Sequence, residues 1–143
     1  MSVTTIWQGK RYFESTGPSG FPIRMDATPA YGGEGKGATP MELILAGLAG
    51  CIGIDVTMIL DKFLDSVRSI EIETVGTRKE EPPKGYTRIE LIFKVEGDIP
   101  DYRIWKAIEL GASKYCSVSD SLSAEIEYRL ILNGQEAKRS EPN

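Results

Sequence analysis

Two thiols carry most of the side-chain chemistry open to this chain. Cys51 lies in the apolar, glycine-studded run from Met41 to Asp55, and Cys116 lies between Tyr115 and Ser117. There is no histidine. Cys-His and Ser-His nucleophile pairs are therefore excluded within the chain, as is haem held by histidine. Two cysteines far apart in sequence do not supply the three or four ligands of a zinc site, so no metal is expected. A thiolate is a nucleophile in its own right, and cysteines on separate elements can meet and cycle between dithiol and disulfide. The competing reading is that a mid-helix cysteine such as Cys51 is a small buried hydrophobe.

A nucleophilic Cys51 needs a neighbour that favours its thiolate. At about 100° per residue, Ile44, Gly47 and Asp55 share its helix face, whereas Glu42 points to the opposite side. The Asp55 carboxylate opposes ionisation of a nearby thiol. A cation must therefore come from elsewhere, and Arg11 and Arg24 in the N-terminal strands are the candidates. Cys116 precedes Ser117-Val118-Ser119, a helix start, where the exposed backbone N–H groups favour a thiolate.

The elements that position these residues are legible in outline. Val3–Trp7, Arg11–Ser15 and Phe21–Asp26 read as strands, with a turn at Gly17-Pro18-Ser19-Gly20. The glycine-rich stretch 32–37 precedes a helix, but no Lys is followed directly by Ser or Thr as a phosphate-binding loop requires. It is read as a flexible connection or lid. Thr39, Pro40 and Glu42 form a capping box with proline at the first helical position. The central helix segment is expected over 39–65, with the helix itself running from Pro40 to about Leu64, about 37 Å. Its first half is apolar all round, which predicts burial. Gly47, Gly50 and Gly53 together cost about 2–3 kcal/mol relative to alanine, so something must approach the backbone closely there. Residues 66–133 read as a hairpin, a second helix over Tyr102–Tyr115 and a last strand over Ser123–Leu132. The tail 134–143 is expected to be flexible. The result is one α+β domain over 1–143.

Composition bounds the function. A net charge of −4, with 41% apolar and 27% charged residues, fits a soluble globular chain and argues against a nucleic-acid surface. The N-terminus lacks the pattern of a signal peptide, and the uncharged stretch from Leu43 to Ile54 is too short to span a bilayer. A cytoplasmic protein with resting thiols is expected.

The run Ala38-Thr39-Pro40-Met41-Glu42-Leu43 through Gly50-Cys51, followed by Ile54-Asp55-Val56, resembles the central helix of the OsmC/Ohr superfamily. Val95-Glu96-Gly97-Asp98 and Ala112 to Val118 resemble its second block and second cysteine. The resemblance spans nearly the whole chain. It implies an OsmC-like α+β fold, with antiparallel sheets packed around long central helices in an intertwined homodimer. The glycine stripe would then admit the partner helix. It also implies a thiol peroxidase in oxidative or osmotic stress defence, which takes organic hydroperoxides and a dithiol reductant and needs no cofactor. Cys51 would be peroxidatic and Cys116 resolving, with Arg24 stabilising the Cys51 thiolate. In the family's peroxidases a glutamate ten residues before the cysteine holds the arginine. That position here is Met41, beside Glu42, which leaves Asp26 or Glu34 as alternative orienters. The alternative function is a non-catalytic OsmC-like dimer that binds a small apolar ligand or senses oxidants.

Overall fold

The structure, a computed structural model, describes residues 1–139. It divides into two compact units, with the boundary inside the long helix after Ile44.

The first unit is an antiparallel sheet of β1 (Thr4–Gly9), β2 (Tyr12–Thr16) and β3 (Pro22–Met25). Its three strands fall within a residue or two of the stretches that alternate in the sequence. The glycine-rich stretch after β3 is not a loose connection. Asp26 is buried, and its carboxylate accepts the backbone N–H groups of Ala27, Glu34 and Lys36 at 2.8, 3.0 and 3.1 Å. Two glycines are required by close approach. A Cβ on Gly33 would lie 1.6 Å from the Ala27 carbonyl oxygen, and one on Gly37 would lie 2.5 Å from the Arg24 carbonyl. A folded loop around one carboxylate therefore replaces the expected lid. Its end is pinned by Ala38, which exchanges backbone hydrogen bonds with Arg24 and Asp26.

The helix α1 (Pro40–Ile59) begins at the capping box read from the sequence. The Glu42 carboxylate accepts the Thr39 N–H at 2.8 Å, and the Glu42 N–H donates back to Thr39 Oγ1 at 3.3 Å. The α-helix ends earlier than expected. Residues Asp61–Ser66 tighten into a 3-10 turn before β4 (Val67–Arg78). By length and composition α1 is apolar enough to cross a membrane, with a mean hydropathy of 1.8.

In the second unit, β4 pairs antiparallel with β5 (Tyr86–Gly97). The chain then crosses over through α2 (Asp101–Leu110), a π-helical turn (Gly111–Tyr115) and α3 (Ser117–Asp120) to reach β6 (Glu125–Leu132). The crossover brings β6 in parallel to β5, an exception to the antiparallel pairing elsewhere. The first part of the tail pairs and packs, where the sequence predicts flexibility. Gln135–Glu136 forms β7 on β6, and Trp105 Nε1 donates to the Ala137 carbonyl at 2.9 Å. The last four tail residues, 140–143, lie outside the described residues.

One core serves this unit. Leu48, Ile52 and Val56 of α1 are buried with Leu91, Phe93 and Val95 of β5 and Ile104 and Ile108 of α2. The first half of α1, for which the sequence predicts burial, keeps Ala46 and Gly47 exposed, and the second half is also open on one side. Ile54 is 63% and Met58 69% exposed. A Cβ on Gly47 or Gly50 would meet nothing within 4 Å among the described residues, whereas one on Gly53 would lie 3.2 Å from Ile72. Among the described residues, only Gly53 of the three therefore has a close neighbour.

The Asp26 knot gives a pH-dependent prediction. Backbone hydrogen bonds from Glu34 and Lys36 hold its carboxyl below the ordinary value of 3.8. A depressed native pKa contributes stability that is present above the unfolded value and lost as pH falls through the folded one. Asp26→Asn is thus expected to lower the thermal midpoint at pH 7. Its gap from the unaltered protein should narrow as pH drops below 3.8. Equal midpoints at pH 7 would contradict the knot.

Candidate thiol site

Cys51 sits on α1 at the border between its core face and its exposed face, and is half-buried. Cys116 comes to it from the crossover. The turn Gly111–Tyr115 closes with a Cys116 N–H to Gly111 carbonyl bond of 2.8 Å, one residue wider than an α-helical bond. Such π-helical insertions re-aim the residues that follow them. The backbone of this turn lies close to α1, since a Cβ on Gly111 would be 3.3 Å from Asp55 Cβ. The sulfurs of Cys51 and Cys116 and a carboxylate oxygen of Asp55 all lie within 4.8 Å of one another.

Cys116 is 4% exposed. Its sulfur caps α3, accepting the Ser119 N–H at 3.4 Å, and the Ser119 hydroxyl donates to the Cys116 carbonyl at 3.0 Å. The helix start foreseen from Ser117-Val118-Ser119 is present, but its effect is outweighed. Burial pushes the Cys116 thiol above its ordinary value and the adjacent Cys51 adds to this, with the Ser119 N–H opposing both. A four-residue helix cannot offset the loss of water around the sulfur. Burial, then the charge of Cys116, also raises the Tyr128 phenol to about 12. Tyr128 was not apparent from the sequence, because its place beside Cys116 depends on the parallel pairing of β6.

Asp55 was read from sequence as a neighbour on the Cys51 face, and it is one. Its Oδ2 is buried with no hydrogen-bond partner among the described residues. A cavity of about 330 Å³ opens here, lined by Asp55, Met58, Ile59 and Tyr115.

Arg24 belongs to the first unit. There it faces Glu14 across the β2–β3 pair, with Nε 3.7 Å from the carboxylate. The suggested orienters are otherwise engaged. Asp26 holds the loop, and Glu34 pairs with Lys10 at 3.4 Å and Lys36 at 3.6 Å. Glu42 is committed to the helix cap.

An α+β chain with two sheets and a long helix fits the OsmC class, and the comparisons agree. The family model described as "OsmC-like protein" matches residues 33–130, and the chain belongs to that family. Protein YhfA of Escherichia coli (strain K12) is 37% identical over 120 residues, covering 83% of this chain and 87% of that protein. A hypothetical protein from Aquifex aeolicus VF5 superposes with a TM-score of 0.77 at 29% identity, covering 92% of this chain and 96% of that one. The organic hydroperoxide resistance protein OsmC of Legionella pneumophila superposes at 0.60 and 16% identity, covering 92% and 96%. At that identity the likeness is one of fold.

The buried position of Cys116 predicts its reactivity. In the folded, reduced protein at pH 8 it should be alkylated by iodoacetamide about tenfold or more slowly than in the urea-unfolded chain, as followed by peptide mass spectrometry. Equal rates would contradict the environment described.

Proposed function

We propose that the chain is a thiol-dependent peroxidase that reduces organic hydroperoxides through Cys51 and Cys116. The observation that carries this reading is that the two sulfurs, far apart in sequence, lie within 4.8 Å. That is near enough for a modest shift to form a bond. Cys51, the less buried thiol, is the attacking group. Its thiolate takes the terminal oxygen of the hydroperoxide, the O–O bond breaks, and the alkoxide leaves as the alcohol after protonation. Cys51 is then a sulfenic acid. The Cys116 sulfur attacks Cys51 Sγ, the disulfide forms, and the hydroxyl leaves as water with the Cys116 proton. An external dithiol restores both thiols. The apolar lining given by Met58 and Ile59 suits an organic rather than a hydrogen peroxide. Arg24, as the family resemblance implies, would stabilise the Cys51 thiolate by charge and hydrogen bonding.

The working unit in this proposal is a homodimer in the cytoplasm, the family's members being soluble proteins. The exposed α1 stripe of Gly47, Gly50, Ile54 and Met58 supplies the face for a second copy. Close approach of a second helix would account for Gly47 and Gly50, which meet no neighbour among the described residues.

Two outcomes test these statements. Cys51→Ser is expected to lose dithiol-driven consumption of cumene hydroperoxide entirely, while Cys116→Ser retains one oxidation event and accumulates a dimedone-reactive sulfenic acid. Full turnover by Cys51→Ser would eliminate the mechanism and favour a ligand-binding or oxidant-sensing protein. In a monomer, Gly50→Ala should stabilise the exposed helix by about 1 kcal/mol. If α1 pairs with a second copy, the same change should weaken the dimer, as read by light scattering across a dilution series.

A further inference from the structure

The third member of the thiol cluster has no task in the peroxidase cycle. Asp55 places a carboxylate oxygen within 4.8 Å of both sulfurs, and its Oδ2 has no hydrogen-bond partner among the described residues. A carboxylate oxygen close to both sulfurs makes a cluster of three metal-ligating groups. The same arrangement suits a cation.

We propose that Cys51, Asp55 and Cys116 of the reduced protein form a divalent-metal site of zinc type, with a fourth position open to solvent. The ligands come from two structures fixed against one another. Cys51 and Asp55 are four residues apart on one face of α1, and Cys116 is set by the π-helical turn whose Gly111 backs onto Asp55. A tetrahedral ion with Zn–S near 2.3 Å and Zn–O near 2.1 Å separates its ligand atoms by about 3.6–3.8 Å. The cluster reaches that geometry by contracting about 1 Å at most from its upper limit of 4.8 Å. Donor chemistry narrows the metal. Two thiolates favour soft or borderline ions over Mg²⁺ and Ca²⁺, and the hard carboxylate favours Zn²⁺ over Cu⁺. Three protein ligands and one open position are the pattern of zinc sites that also bind a small molecule. The cavity lined by Asp55, Met58, Ile59 and Tyr115 gives that position an outlet.

The sequence excluded such a site because two distant cysteines are too few ligands. What it could not show is that Asp55, already on the Cys51 face, also reaches Cys116.

The test uses the reduced full-length chain, without peroxide, and Zn²⁺ or Co²⁺ as the only additions. Calorimetric titration should give one Zn²⁺ per chain with a dissociation constant of about 1 μM or tighter. Co²⁺ should give the intense visible bands of a tetrahedral site together with thiolate charge-transfer absorption. Asp55→Asn and Cys116→Ser should each weaken Zn²⁺ binding about tenfold or more, and bound Zn²⁺ should protect both cysteines from iodoacetamide. Weaker binding by the unaltered chain, an octahedral Co²⁺ spectrum, or unchanged affinity in Asp55→Asn would overturn the proposal. The Co²⁺ spectrum needs no variant, so the test survives misfolding of either one. Because no peroxide is used, a chain that binds Zn²⁺ but consumes no hydroperoxide, or the reverse, separates this inference from the peroxidase reading.

Discussion

The meeting of α1 with the π-helical turn at Gly111 is the constraint on which the thiol site depends. α1 is anchored through Leu48, Ile52 and Val56 in the core built on β5. Burying that face leaves Cys51 and Asp55 at its edge, turned toward the crossover. Gly111 eases this approach, since a Cβ there would lie 3.3 Å from Asp55 Cβ and the neighbour would have to give by a few tenths of an ångström. The wider backbone bond from Cys116 to Gly111 then sets where the second sulfur falls. No single pairwise energy holds the site together. It follows from the close packing of a protein interior, where a side chain's position is fixed by its neighbours.

The same packing explains why the two cysteines differ. Both are free thiols, yet one is half-buried and the other buried. Burial keeps Cys116 protonated, with the N–H of Ser119 as partial compensation. A protonated, enclosed thiol is protected from oxidants until its neighbour has reacted, which is the property a resolving cysteine needs. Tyr128, at about 12, stays neutral beside it and adds no charge to the cluster at physiological pH.

Local features were legible in the sequence wherever local physics determines them. The capping box at Thr39 and Glu42 needs residues only three apart, and it forms as read. β1 ends at Gly9 and β5 at Gly97, glycines that the sequence marks as breaks. Features resting on longer-range contacts were not legible. The loop on Asp26 closes through N–H groups of Glu34 and Lys36, which no composition rule pairs with it. The parallel pairing of β6, and with it Tyr128, follows from the crossover geometry. Apolarity on every side predicts burial of the first half of α1, but the described residues cover only one side of it, and Ala46 and Gly47 stay exposed. Of the site, spacing alone placed Asp55 beside Cys51. The pairing of Cys51 with Cys116 came from family resemblance, because sequence separation carries no information on distance in space.

The central claim is that Cys51 and Cys116 act as one redox pair. The most direct measurement is the mass and peptide map of the reduced chain after one equivalent of cumene hydroperoxide, without dithiol. The account predicts loss of two hydrogen masses and a single Cys51–Cys116 cross-linked peptide within each chain, reversed by dithiothreitol. Unchanged thiols, or oxygen added at Cys51 with Cys116 still free, would contradict it.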